Sequence, residues 1–126
     1  MTIRWGAVFL GLLVDVVLSS IIQAFARQEF FPVPDITNQH DLAILMLSAL
    51  AIGIGGYVAG RRAGQDRAIN GLLVGVVDVI YTTLFGGLMA RPVVLMEAMG
   101  CVLAGLCGYL SRFPSTTAVQ PPTRRD

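Results

Sequence analysis

The sequence predicts an all-α membrane protein, a four-transmembrane-helix bundle in a single domain. Hydrophobic residues make up 55% of the 126 residues and charged residues 13%, against roughly 25% charged residues in a soluble domain. A soluble chain of this length needs more polar residues to cover its surface. Four long apolar runs separated by polar breaks give the second observation, and they set the organisation of the chain.

The apolar runs span about residues 5–26, 42–60, 69–90 and 93–110. At 1.5 Å per residue, each run is long enough to cross a hydrocarbon core of ~30 Å. Backbone groups cannot stay unpaired in lipid, so the runs must be helices. Ala24-Phe25-Ala26 resembles a signal-peptidase site, but the long preceding run with Asp15 at its centre favours an uncleaved span. We therefore expect residues 1–112 to form one transmembrane domain.

Polar residues separate the runs. The first break, residues 27–41, contains prolines and acidic residues, and the second, residues 61–67, is rich in arginine. Arg91-Pro92 forms a very short third break, with the proline suited to the start of a helix. Residues 113–126 contain prolines and hydroxyl residues without an apolar run, so we expect a disordered cytoplasmic tail.

Arginine placement predicts the orientation. If the N-terminus is inside, Arg27 and Arg91 lie outside, whereas the cytoplasmic side carries Arg4, Arg61, Arg62, Arg67, Arg112, Arg124 and Arg125. This bias predicts that both termini are cytoplasmic. Arg61, Arg62 and Arg67 are expected to anchor the topology and to attract anionic lipid headgroups. The net charge of +1 gives no reason to expect a nucleic-acid partner.

The first and third runs share a pattern. GLLVDVVLSSII starts at Gly11 and GVVDVIYTTLF starts at Gly75. In the second and fourth runs, Leu-Met pairs lead to the tripeptides GGY and CGY. These matches predict two tandem helical hairpins, related by a pseudo-two-fold axis along the membrane normal.

Asp15 and Asp78 occupy matching positions near the bilayer midplane, and Ser19 and Thr82 each follow four residues later on the same helix face. A charge at this depth costs ~2.5–3.5 kcal/mol. One interpretation is a paired carboxylate site that binds a proton or a cation between the two halves. The favoured interpretation is that the acids are hydrogen-bonded packing groups, because no arginine, lysine or histidine accompanies them in the apolar runs.

Small residues recur at intervals of four along several runs. This spacing lets helix backbones approach closely, which is a common mode of packing in lipid. The residues expected to pack helices together are Gly11, Gly56, Gly60, Gly71, Gly75, Gly100, Ala104 and Gly108.

The remaining polar residues do not form a catalytic or metal-binding pattern. Glu97 lies near the outer end of the fourth run, where we expect its carboxylate to reach the interface or to meet Arg27 or Arg91. Cys101 and Cys107 are six residues apart, so they cannot bridge within a helix and are interpreted as small apolar residues. We expect no catalysis, no cofactor and no metal.

The stretch GIGGYVAGRRAGQDRAINGLLVGVV, residues 53–77, resembles a family of uncharacterised four-span bacterial membrane proteins. Its members share a GG-aromatic-x-AGR-x-A motif at the end of the second helix, a short basic turn and a glycine-rich third helix. The resemblance implies the four-span topology and a place in a bacterial cytoplasmic (inner) membrane, and it implies no particular activity.

These observations predict a small integral membrane protein of structural or accessory type, which works in the lipid bilayer as a homo-oligomer or within a larger membrane complex. The alternative is a small proton- or cation-coupled transporter or channel that uses Asp15 and Asp78. The two differ in whether the midplane carboxylates exchange a ligand with the surrounding solution.

Overall fold

The computed structural model of the protein describes residues 2–26, 37–86 and 91–113. These residues form four helices and no strand, so the all-α prediction is confirmed. The helices are α1 (Trp5–Ala26), α2 (Gln39–Ala63), α3 (Arg67–Gly86) and α4 (Arg91–Leu110).

The second helix is longer at both ends than the apolar run 42–60. Asn38 caps its start, where the Asn38 side chain accepts a hydrogen bond from the backbone N–H of His40. Its last turn carries Arg61 and Arg62, whose charge suits the negative end of the helix dipole. Gly64 then ends the helix with a φ of 74°, a conformation that favours glycine.

The helices pack unequally around the bundle. α2 packs against α1, α4 and α3, and α3 packs mainly against α4 and α2. α1 lies close to α3 over a shorter stretch, and within the described residues no Cα atom of α1 lies within 8 Å of one in α4. In cross-section the bundle is therefore a rhombus, with α2 and α3 at the ends of its short diagonal.

Close backbone contacts hold these pairs together. A Cβ added at Gly56 would lie 2.5 Å from Ala104 Cα, and one added at Gly60 would lie 2.6 Å from Gly108 Cα. Similar contacts involve each of the small residues singled out by their spacing, which lie between α1 and α2, α2 and α4, or α3 and α4. The small size of the residues at these positions lets the helices approach closely.

The outer surface of the bundle is apolar and its interior is small or polar. The side chains of Phe9, Leu13, Leu84 and Val102 are all at least 60% exposed, whereas alanines make up most of the buried apolar residues. Three segments are long and apolar enough to cross a membrane, and Val94–Leu110 is a shorter apolar helix. This distribution fits a membrane protein, whose apolar side chains face lipid.

Several predictions concern residues outside the described part of the chain. They include the first polar break at 27–36, with Arg27, and the side chain of Arg91. The predicted tail also falls there, apart from Phe113, and with it Arg124 and Arg125.

Candidate functional site

Asp15 lies in the interior of the bundle and is 1% exposed. Its position follows from the close approach of α1 to α2, where a Cβ added at Gly11 would lie 2.5 Å from the carbonyl oxygen of Gly55. One helical turn further along α1, the Asp15 side chain packs beside Gly55. The Ser19 hydroxyl donates a 3.3 Å hydrogen bond to Asp15 Oδ1, so the predicted pairing along this helix face is present.

Asp78 lies next to Asp15 on the neighbouring helix α3. Its carboxyl group is within hydrogen-bonding reach of the Asp15 carboxyl group. The Thr82 hydroxyl, however, donates to the backbone oxygen of Asp78 at 2.9 Å rather than to the Asp78 carboxyl group. The two Asp-hydroxyl pairs that look alike in sequence therefore differ in their hydrogen bonds.

Glu97 brings a third carboxyl group to the same place from α4. Its side chain is 4% exposed and lies within hydrogen-bonding reach of Asp78 and Thr82. Our expectation that Glu97 reaches the interface is therefore wrong. The close contact of Gly75 with Cys101 draws α3 and α4 together one turn away, and this leaves the Glu97 side chain inside the bundle.

The spacing along α4 contains the signal that would have placed Glu97 correctly. Glu97 precedes Gly100, Ala104 and Gly108 by three, seven and eleven residues, which are separations that share one face of a helix. Those small residues face α2 and α3. The same face must therefore carry Glu97 into the interior.

We call Asp15, Asp78 and Glu97 the carboxyl cluster. An ionised carboxylate has only acceptor atoms, so a hydrogen bond between two carboxyl groups requires a proton on one of them. The cluster has no described arginine beside it, and the nearest further titratable group is the Cys101 thiol. Within the described residues, no group of side chains has the arrangement of a metal site. The cluster can therefore hold and rearrange protons.

A second buried polar site lies at the arginine-bearing end of the bundle, around Asn70. The Asn70 side chain is 0% exposed. Its Oδ1 accepts a 2.9 Å hydrogen bond from the backbone N–H of Arg4, and its Nδ2 donates to the backbone oxygens of Thr2, Gln65 and Asp66 at 3.0–3.5 Å. We call this set the Asn70 network. It fastens the segment before α1 to the turn between α2 and α3.

Asn70 does not stand out in the sequence. An asparagine at the edge of an apolar run has no distinguishing pattern, and two of its partners, Thr2 and Arg4, lie far away in the sequence. Asp66 reinforces the same junction, because its Oδ2 accepts a 2.6 Å hydrogen bond from the backbone N–H of Thr2. This hydrogen bond holds the pKa of Asp66 below its ordinary value.

The arginines predicted to be anchors have different surroundings. Arg61 and Arg62 are exposed. Arg67 instead donates hydrogen bonds to the backbone oxygens of Gly64 and Ser111, at 3.0 and 2.8 Å, and so ties the α2–α3 turn to the end of α4.

An open cleft of about 420 Å³ lies beside Arg67. It is lined by Gly64, Asp66, Arg67, Ala68, Ile69, Tyr109 and Arg112. The Arg112 guanidinium stacks over the Tyr109 ring at 3.8 Å. None of the three carboxyl groups of the carboxyl cluster lines this cleft.

The chain matches no protein-family model, no curated protein and no solved structure.

Proposed function

We propose that this protein is a small integral membrane protein of structural or accessory type, without catalysis. The observation that carries this proposal is the close packing of its helices: backbones meet at Gly11–Gly55, Gly56–Ala104 and Gly60–Gly108. The open cleft at the arginine-bearing end does not reach the carboxyl cluster. Such a bundle acts in the bilayer as a rigid unit, alone as a homo-oligomer or within a larger membrane complex.

We further propose that all four helices span a bacterial inner membrane, with both termini in the cytoplasm. The start of α1, the α2–α3 turn and the end of α4 meet at one end of the bundle through hydrogen bonds from Thr2 to Asp66 and from Arg67 to Ser111. Described arginines gather at that end, as the positive-inside rule requires of a cytoplasmic face. We also propose that the protein is a member of the four-span family that its sequence resembles.

Fusions to the C-terminus test this orientation. A green fluorescent protein fusion should fluoresce in cells, and an alkaline phosphatase fusion should be inactive, because the phosphatase folds only outside the cytoplasm. An active phosphatase fusion together with a non-fluorescent protein fusion would show that the C-terminus lies outside the cytoplasm.

We infer also that the two helical hairpins, α1–α2 and α3–α4, arose by duplication. In support, Asp15 and Asp78 occupy matching positions in the sequence pattern and lie side by side in the bundle. The two halves are no longer equivalent. In the described residues, the contact of α2 with α3 has no counterpart between α1 and α4.

The carboxyl cluster favours a second candidate function, a small proton- or cation-coupled transporter or channel. Acids inside a membrane protein are costly, and they commonly mark the pathway of an ion or a proton. Asp15 and Asp78 would form the core of such a site, with Ser19 and Thr82 supplying hydroxyl groups.

Flux measurements in proteoliposomes separate the two functions. A transporter should carry protons or cations down an imposed gradient, and the double variant Asp15→Asn/Asp78→Asn should lose that flux. The matched control Asp41→Asn removes a carboxylate from the first turn of α2 and should leave the flux intact. An accessory protein should give no flux above that of empty vesicles, and the double variant should keep its association with any partner complex isolated from the native membrane. Flux that persists unchanged in the double variant would exclude the carboxylate mechanism.

A further inference from the structure

The carboxyl cluster forms a chain of three groups with Asp78 in the middle. Asp78 is within hydrogen-bonding reach of Asp15 on one side and of Glu97 on the other. Asp15 also accepts a hydrogen bond from Ser19, and Glu97 is within hydrogen-bonding reach of Thr82. The only other titratable side chain found against the cluster in the described residues is that of Cys101 on α4. Gly55 of α2 packs against Asp15 and brings no titratable group.

Glu97 provides an independent sign that this site holds a ligand. Its side chain is directed at Asp78 and is only 4% exposed. Its Oε2 nevertheless has no hydrogen-bond partner among the described residues. A buried carboxylate oxygen without a donor costs free energy, whereas a protonated carboxyl group can donate to a neighbouring carboxylate and leaves an uncharged carbonyl oxygen unpaired, which costs less.

We propose that the carboxyl cluster is a binding site for two protons, held on Asp15 and Glu97 and shared with Asp78 as the common acceptor. Each of the two carboxyl–carboxyl hydrogen bonds needs one proton, so two protons satisfy both. The Asp15 and Glu97 hydroxyl groups donate, and the two oxygens of the Asp78 carboxylate accept. The cluster then carries a charge of −1, instead of −3 with no protons bound.

Loading the site requires no other reactant. Two protons leave hydronium ions in the solution, and one O–H bond forms on each of the two outer carboxyl groups. Release reverses these steps and returns both protons to water. The proposal depends on neither candidate function, because a proton pair that stays bound would hold α1, α3 and α4 in register, whereas a pair that exchanges would support proton-coupled transport.

Infrared spectroscopy of the purified full chain in lipid vesicles tests the proposal directly, because the C=O stretching band of a protonated carboxyl group is separate from the bands of carboxylates. At neutral pH, the unmodified protein should show two such bands that shift in D₂O. Asp15→Asn and Glu97→Gln should each remove one band. Asp78→Asn should keep both bands at shifted frequencies, because the common acceptor has changed. The control Asp66→Asn alters an exposed carboxylate and should leave both bands unchanged.

The spectrum of the unmodified protein alone can overturn the proposal, so a variant that fails to fold does not weaken the test. Absence of any protonated carboxyl band at neutral pH would exclude bound protons. Loss of a band in Asp78→Asn, with both bands retained in Glu97→Gln, would place the protons elsewhere. Adding Na⁺ or Mg²⁺ at neutral pH should change nothing. If either ion removed the bands, the site would bind a metal cation in place of protons.

Discussion

Two of the buried polar sites described above, the Asn70 network and the carboxyl cluster, are built in opposite ways. In the Asn70 network, the side-chain oxygen of Asn70 accepts one hydrogen bond and its two N–H groups are shared among three backbone oxygens, so both polar atoms of the amide have partners. In the carboxyl cluster, three acidic groups lie together, and Glu97 Oε2 finds no partner in the part of the chain that the structure describes. The Asn70 network joins the segment before α1 to α3 and to the α2–α3 turn, whereas the carboxyl cluster joins α1, α3 and α4 inside the bundle.

The contrast shows that buried polar groups have two different roles in this bundle. An amide has a fixed number of donors and acceptors, so a satisfied buried asparagine specifies one geometry and does not change with pH. A carboxyl group gains a donor when it takes up a proton, so the hydrogen bonds of the carboxyl cluster depend on its proton content. The Asn70 network therefore fixes the arrangement of the helices, and the carboxyl cluster is the part whose state can change.

The largest effect is expected from a substitution that breaks both sites together. Gly11→Leu would place a Cβ 2.5 Å from the Gly55 oxygen and 2.8 Å from Ala59 Cβ. It would thus force α1 away from α2 and from both polar sites. We expect a loss of at least about 3 kcal/mol in the free energy of unfolding, because overpacking costs roughly 1–3 kcal/mol even where neighbours can adjust. Denaturation in detergent, followed by circular dichroism, measures it.

Gly6→Leu is the matched control. Gly6 also belongs to α1, but a Cβ there would meet nothing within 4 Å. This variant should be neutral or slightly stabilised, since leucine favours helix more than glycine. Equal losses in the two variants would show that the contact of Gly11 with Gly55 does not hold the bundle together.

The next largest effect should come from the Asn70 network alone. Asn70→Leu removes the partner of the Arg4 N–H and of the Thr2 backbone oxygen. Because buried unpaired groups cost about 1–3 kcal/mol each, we expect a loss of roughly 2–3 kcal/mol in the same assay. The control Thr83→Val changes an exposed hydroxyl that donates to the backbone oxygen of Val79 on its own helix and should cost much less. If Asn70→Leu lost no more stability than that control, the network would have no structural role.

A smaller effect is expected from the carboxyl cluster. Glu97→Gln keeps the side-chain volume and supplies an N–H that can donate to Asp78. We expect a change of less than about 1 kcal/mol in the free energy of unfolding, because the interaction is replaced rather than left unpaired. A loss of stability as large as that of Asn70→Leu would show that Glu97 is a structural residue like Asn70, and the proposed difference between the two sites would be wrong.

The sequence was informative where a residue is unusual for its place along the chain. Asp15 and Asp78 stand out because acids are rare in apolar runs, and their matching patterns predicted that they lie at a similar depth. The limits of the helices were less predictable, because polar caps such as Asn38 extend a helix beyond its apolar residues.

Residues whose role depends on which way the side chain faces were missed or misplaced. Glu97 was judged by its depth along α4, whereas the face that it shares with Gly100 and Ala104 places it inside. The repeat pattern does not predict a buried acid at Glu97 either. When the two Leu-Met pairs are aligned, the position of α2 that corresponds to Glu97 is Leu47. Asn70 was missed because its partners come from a distant segment, which no local pattern reveals.

The smallest effect separates charge from geometry within the Asn70 network. Asp66 has a φ of 48°, which asparagine also tolerates, so Asp66→Asn keeps the backbone and removes the charge. The hydrogen bond from the Thr2 N–H holds the folded-state pKa of Asp66 below its ordinary value. Its stabilising contribution is thus complete above the unfolded-state pKa of about 4, and is lost as the pH falls through the lower folded-state pKa. Melting temperatures measured over a pH series should differ slightly between the protein and its variant at neutral pH and converge in acid, because the protonated Asp66 no longer gains from the contact. A difference that widens in acid would contradict this assignment.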